Sequence, residues 1–279
     1  MSLTLERISL SDRDEIEVLC GGIWDGMDYL PKVFDDWVSD GGFYKGIENG
    51  RIIAVDKYTR LENGVLWLEG LRVHPEYQGM GYGKEMVRKF LSLIESKESF
   101  SKLRFMTSAS NEKMVPMARE FGFEVYLETH SFMISREEGL SEENVGGLIV
   151  ETDWERVYRN LLITDEFRDN RGLYLNNWTA HDITPDLIKK EVKAGACISE
   201  PSTGATGFFK PYLPYNTLCI PFIAGDVEGI RRLIPHGIHS MFREGWDRLS
   251  VKTASQSVKT IVEEYLVQGD KKIALVFQR

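Results

Sequence analysis

Three glycines at alternate positions, Gly79, Gly81 and Gly83, stand between an apolar run that ends at Val73 and an amphipathic pattern that begins at Lys84. Positions without side chains let consecutive backbone N–H groups converge on one anion, and the positive end of the following helix adds to the attraction. A pyrophosphate is the natural guest of such a turn. Two other nucleotide loops do not fit it. A Walker loop places four residues between its first Gly and its Gly-Lys pair, followed by Ser or Thr. Here three residues separate Gly79 from Gly83-Lys84, and Glu85 follows. The dinucleotide fingerprint G-x-G-x-x-G fails as well, because the spacing is G-x-G-x-G.

The flanking residues make the turn more specific. Leu71-Arg72-Val73, Pro75 and Gln78-Gly79-Met80-Gly81-Tyr82-Gly83 resemble motif A of the GCN5-related N-acetyltransferases, a strand ending in L-x-V, a Pro, then Q/R-x-x-G-x-G/A opening a helix. The resemblance spans roughly residues 3–135. It implies acetyl-CoA as cosubstrate and no metal. It places the pyrophosphate on the turn Gln78–Lys84 and the pantetheine arm along Leu71, Arg72 and Val73. The strand backbone, Leu71 foremost, would polarise the thioester carbonyl as an oxyanion-type donor. A shorter stretch, Trp24-Asp25-Gly26-Met27-Asp28-Tyr29-Leu30-Pro31 with Phe34, Trp37 and Asp40, resembles histidine N-acetyltransferase-like proteins, which also carry the strand found here as Glu69–Val73. That resemblance implies a free amino acid or similar small amine as acceptor, with Asp25, Asp28 and Tyr29 on the acceptor side.

An attacking amine must shed a proton, and Glu69, four residues before Val73, is the candidate base, directly or through a water. A structural carboxylate held by Arg72 or by backbone amides is the alternative. The family's general acid is a Tyr four residues before a Gly-Phe pair; that pair is Gly122-Phe123 here, and the position holds Ala118. Tyr29 and Tyr82 are substitutes or packing residues. Asn111 matches the family position that bonds the pantetheine, and equally suits a helix cap. Lys84, Arg88 and Lys89 are placed to meet the CoA phosphates or to form a solvated basic face. Asp25, Asp28, Asp35, Asp36 and Asp40 form an acidic segment that would attract a cationic amine, with a solvated helical face the alternative for Asp35 and Asp36.

The elements that must position these residues alternate between strand and helix patterns. The sequence predicts strands over Thr4–Leu10, Phe43–Ile47, Arg51–Tyr58, Val65–Val73, Leu103–Thr107 and Phe123–Ile134. Ser11 with Asp14 predicts a capped helix running past Leu19, and Leu30-Pro31 a second one ended by Gly41-Gly42. Lys84–Ser96 and Asn111–Phe121 complete the helices of this half. Asn49-Gly50 and Glu62-Asn63-Gly64 are turn signals. Arg136–Gly147 is polar and reads as a linker. Beyond it come a hairpin over Ala194–Lys210, a strand Leu218–Ala224, a helix Asp226–Arg243 kinked at Pro235, a strand Leu249–Thr253, a helix Val258–Val267 and a strand Lys272–Gln278.

A shift of 146 positions lays Pro75 on Pro221, Gly79 on Gly225, Gly83 on Gly229 and Thr107 on Thr253. The expected fold class is therefore α/β (α+β), with tandem GNAT-like domains, each a mixed central sheet flanked by helices: a catalytic acetyl-CoA-binding domain over 1–140 and a degenerate copy over 141–279. At the second turn Asp226 and Glu228 would repel a pyrophosphate, and Val227 replaces the central glycine. His236, His239 and His181 show no metal motif.

Of the formal net charge of −9, residues 1–146 hold all, with 26 acidic and 17 basic residues against 17 of each in the remainder. That balance argues against a nucleic-acid partner. No apolar run reaches the ~20 residues of a membrane span, and Met1 leads into a charged stretch rather than a signal peptide. Cys20, Cys197 and Cys219 are far apart and odd in number, which suits a reducing cytoplasm. The expected activity is N-acetylation of a small amine or amino acid. A protein N-acetyltransferase and a CoA-binding regulator without turnover are the alternatives, and the oligomeric state stays open.

Overall fold

A computed structural model describes residues 2–23, 26, 28–136, 145–266 and 271–279. It resolves into two compact units. The first comprises Met1–Phe105, Pro116–Phe123 and Gln278–Arg279, the second Met106–Val115 and Glu124–Phe277. The units do not divide at residue 140, because each takes in a segment from the far side of that point.

In the first unit the order is β1 (Thr4–Arg7), α1 (Arg13–Gly21), α2 (Leu30–Asp40), β2 (Phe43–Glu48), β3 (Arg51–Arg60), β4 (Val65–Val73), α3 (Tyr82–Lys97) and the start of β5 (Lys102–Ser108). Strands β1 to β4 pair antiparallel in sequence order. Strand β5 joins β4 in parallel, Val65 opposite Lys102 and Trp67 opposite Arg104. Alternation along the strands sorts their side chains onto two faces. Phe43, Ile52 and Val55 pack with Ile16 and Leu19 of α1 and Leu30, Phe34 and Trp37 of α2. Tyr44 and Tyr58 stack with Phe90 of α3 on the other face. The spacing of Leu30, Phe34 and Trp37 is that of one helical face, and full burial of each such side chain contributes roughly 2 kcal/mol.

The first helix starts differently from expectation. Ser9 and Asp12, not Ser11 and Asp14, form the capping box, around a single tight turn over Leu10–Asp12 that precedes α1. Asp12 also holds Lys45 Nζ at 2.6 Å. Helix α4 (Met114–Glu120) is shorter than the predicted Asn111–Phe121, since Asn111 caps it from outside.

The second unit runs β6 (Glu124–Ser135), β7 (Ile149–Val150), α5 (Trp154–Leu161), α6 (Asp165–Asp169), β8 (Leu173–Asn176), β9 (Thr179–Asp182), α7 (Pro185–Lys193), β10 (Cys197–Ser199), β11 (Thr206–Phe208), β12 (Lys210–Tyr212), β13 (Thr217–Ile220), β14 (Ile223–Ala224), α8 (Val227–Glu244), β15 (Arg248–Thr253), α9 (Gln256–Glu263) and β16 (Lys271–Gln278). One sheet has the order β16-β6-β15-β13-β12, a second β14-β11-β10-β7, and β8 with β9 is a hairpin. Ile230, Leu233, Ile234, Ile238 and Met241 of α8 fill the core over β6, β13 and β15. Pro235 lies inside α8 without dividing it.

The predicted strand Leu218–Ala224 is two strands in two sheets, because Pro221 between them has no N–H to offer a ladder. The elements from β7 to α7 had no sequence counterpart, although Asp153, Thr164 and Thr184 cap α5, α6 and α7 through their side chains. Most of the predicted linker, residues 137–144, lies outside the described residues, as does residue 267 at the end of the predicted helix Val258–Val267. The 146-residue shift lays α3 on 228–243, within α8, and β5 on 248–254, over β15. The parallel pairing of β4 with β5 also has a counterpart in β13 with β15.

Candidate active site

Strand β4 is interrupted where the chemistry is expected. Arg72 faces Val55 and Glu69 faces Lys57, so two residues of β4, Gly70 and Leu71, stand against the single Asp56 of β3. This is a β-bulge, a device that re-aims a strand beside a site. Gly70 permits it with φ of 82°, and a Cβ there would lie 2.6 Å from the Trp37 ring. Leu71 has no partner in the register with β3, and its carbonyl accepts from Arg72 Nη1 at 3.1 Å.

Trp37 is one of several links between the Asp28–Asp40 segment and β4. Arg72 Nε and Nη2 donate to Asp28 Oδ2 and Oδ1 at 2.7 and 3.0 Å, and the Asp28 side chain is 1% exposed. Asp28 Oδ1 also accepts from Leu30 N–H at 3.1 Å. The Arg72 guanidinium lies 5.5 Å from the Tyr29 ring, which meets Trp37 edge-on. The two stretches that resemble histidine N-acetyltransferase-like proteins are thus one contact cluster. Asp28, expected to attract an amine, is already engaged by Arg72. Burial, with Asp28 nearby, pushes the Cys20 thiol up to about 12, so it is an inert neighbour. Asp25 lies outside the described residues.

Glu69 is half-buried, and its Oε1 accepts from Thr59 Oγ1 at 2.5 Å. Thr59 Oγ1 accepts in turn from Lys57 Nζ at 2.7 Å. The Lys57 side chain is 0% exposed; its ammonium also reaches Asp40 Oδ2 at 2.6 Å and the carbonyls of Gly41 and Tyr58 at 3.2 Å each. Asp56 is buried too, and that desolvation raises its carboxyl well above the usual range against the opposing pull of the Lys57 N–H and Arg72. None of Lys57, Thr59 or Asp56 belongs to a motif. The one signal was a Lys and an Asp set inside the apolar run Ile52–Tyr58.

The glycine turn follows β4 directly. Gly79 and Gly81 have φ of 78° and 89°, and a Cβ on Gly79 would meet nothing within 4 Å. Gly81 is the N-cap of α3 and, as a glycine, brings no side chain of its own to the helix end. Free N–H groups at a helix start suit a phosphate. Gln78 Nε2 folds back to donate to Val73 O at 3.2 Å, and Met80 is exposed. Tyr82 is buried and donates its phenol to Glu48, which raises the phenol and makes it a packing residue. Lys84 pairs with Glu120 at 2.5 Å, and Arg88 and Lys89 pair with Glu85. Ala118 is buried. Asn111 belongs to the second unit, where its Oδ1 accepts from Met114 N–H at 2.9 Å and its amide donates to Thr107.

The second unit's own glycine turn is built otherwise. Asp226 caps α8 by accepting from Glu228 N–H at 2.9 Å. A Cβ on Gly225 would lie 2.7 Å from Ala205 Cα, and one on Gly229 would overlap Thr203 and Ala205. These glycines make room for the neighbouring chain. His236 stacks edge-on with Phe209, and burial lowers it below the usual histidine range. Among the described residues no group of three or more His, Cys, Asp or Glu could hold a metal ion, and no helix is long and apolar enough to cross a membrane.

The glycine turn thus follows a bulged, half-paired strand within one stretch of chain. Residues 13–123 match the model of the acetyltransferase (GNAT) family. Over 89 residues it is 32% identical to the histidine N-acetyltransferase of Scomber australasicus, a match covering 31% of this chain and 26% of that protein. A second histidine N-acetyltransferase, from Oreochromis niloticus, is 30% identical over the same length. The chain thus spans about a quarter of these relatives' length. The fold is shared more widely. A GCN5-related N-acetyltransferase from Sphaerobacter thermophilus superposes with a TM-score of 0.65 at 14% identity, covering 99% of this chain and 95% of that one.

Proposed function

We propose that the first unit transfers the acetyl group of acetyl-CoA to the amino group of a small amine or amino acid. The observation that carries this reading is the bulge at Gly70–Leu71 leading, within one family-matched segment, to an α3 whose N-cap is a glycine. That helix end and the open space at Gly79 fit a pyrophosphate.

Acetyl-CoA supplies an acetyl group already activated as a thioester. The N–H groups of Gly79 to Lys84 bind its pyrophosphate, and Lys84, half-exposed on Glu120, adds a positive charge beside them. The Leu71 backbone, set off from the β3 register, donates to the thioester oxygen as charge builds there. Glu69 takes the proton that the amine sheds as its nitrogen bonds to the carbonyl carbon. The carbon–sulfur bond breaks, and the sulfur leaves as a thiolate that water reprotonates. A thiol pKa of ~8.5 makes that departure tolerable without a dedicated acid, which suits an alanine at position 118. The small acceptor is favoured by the packing of Asp28, Tyr29 and Trp37 on β4, stretches whose sequence resembles histidine N-acetyltransferase-like proteins.

A thiol-release assay with free amino acids, small amines and peptides tests this. Release with free amino acids or small amines is expected. Release with peptides alone would overturn the acceptor class, and CoA binding without release to any amine would overturn the enzyme.

A further inference from the structure

Lys57 and Thr59 lie on the strand next to Glu69 and make a directed chain of hydrogen bonds to it. As an ammonium paired with Asp40, Lys57 can only donate. Thr59 Oγ1, 2.7 Å from Nζ, must therefore accept there. A hydroxyl has one hydrogen, and with the lysine on its lone pair that hydrogen is left for Glu69 Oε1 at 2.5 Å. The direction is fixed at its origin, because Lys57 is fully buried and anchored besides by two main-chain carbonyls. Lys57 and Glu69 are register partners, and Thr59 is two residues along β3 from Lys57, so all three side chains stand on one face of the sheet. Asp56 on β3 also acts on Glu69 electrostatically, and Arg72 on β4 is turned toward Asp28.

We infer that Thr59, oriented by Lys57, is the positioning residue of the acetyl transfer: by donating to Glu69 Oε1 it fixes the orientation of the carboxylate that takes the amine proton. This rests on Glu69 being the base of the reaction. Because Thr59 acts through Glu69, its effect should appear in turnover while CoA binding stays unchanged.

The test compares Thr59→Val, which keeps the shape and loses the hydroxyl, with Thr59→Ser, which keeps the hydroxyl. Steady-state acetylation of the best small-amine acceptor is measured together with CoA binding by titration calorimetry. Thr59→Val should lower kcat about 10–100-fold, the usual range for a misplaced proton-transfer group, with KM for acetyl-CoA and CoA affinity within about 3-fold. Thr59→Ser should restore kcat to within about 3-fold. Should Thr59→Val bind no CoA, the same readout is taken from Thr59→Ala. In a Glu69→Gln background, Thr59→Val should cause no further loss. Full activity of Glu69→Gln would overturn the base assignment itself. An impaired Glu69→Gln beside a wild-type kcat in Thr59→Val would overturn the positioning role alone, as would losses that add in the double variant.

Discussion

Asp28 was expected on the acceptor side, but its partner was not legible, since Arg72 lies 44 positions away and no local pattern joins them. Because both members are buried, removing one strands the other. Asp28→Asn should therefore cost about 3 kcal/mol in urea unfolding, in the range for a broken buried pair. Any rise in KM for a basic acceptor should come together with that loss. Glu69 and the glycines could be read because their motif is continuous in sequence. Lys57 and Thr59 could not, because a strand neighbour contributes them across the sheet. A second buried lysine gives a pH prediction. Burial lowers Lys252 to about 8, so in the folded protein it gives up its proton earlier than in the unfolded chain. Between about pH 8 and the unfolded value of 10.5 the unfolded chain holds more protons, and stability rises with pH. Lys252→Met should raise Tm at pH 7 and flatten that rise, as read by thermal melts from pH 7 to 10.

Strand β4 and helix α3 act as one device, and each can be broken separately. Gly70→Ala adds a Cβ at a positive φ and against Trp37, so it should destabilise the fold by about 1–3 kcal/mol and reduce kcat through Leu71. Wild-type kcat in a folded Gly70→Ala variant would show that the bulge does not aim the reaction. Gly81→Asp puts a carboxylate where the phosphate is expected, and calorimetry should find no CoA binding while the circular dichroism spectrum is kept. The periodicity of α2, α3 and α8 made these helices readable, and Asn49-Gly50 marked its hairpin. The bulge was not readable, since Gly70 within Glu69–Val73 looks like any strand glycine until the register of β3 is known. The split of β13 from β14 was signalled by Pro221 alone.

At the scale of the whole molecule the two glycine turns differ: Asp226 caps α8 through its side chain, whereas the N-cap of α3 is a glycine. CoA titration should accordingly give one site per chain, and Gly81→Asp should abolish it entirely; residual binding in that variant would point to a second site. The sequence repeat was visible from α8 onward, where elements keep the 146-residue spacing, and lost between β7 and α7, where short elements carry their caps but little periodicity. What no repeat could announce is that the first unit takes in Gln278 and Arg279. Leu103 exchanges both main-chain hydrogen bonds with Arg279, at 2.8 and 2.9 Å, and Gln278 Oε1 accepts from the buried Arg104 guanidinium. On a ribosome adding about 5–20 residues per second, roughly 10–35 seconds pass between the synthesis of Phe105 and that of these two residues. Through that interval the nascent β5 presents an unpaired edge, the kind of surface on which strands of other chains assemble. The unit proposed to carry the chemistry thus waits for Gln278 and Arg279 before β5 gains these main-chain partners, and its yield in a cell should depend on what shields that edge during synthesis.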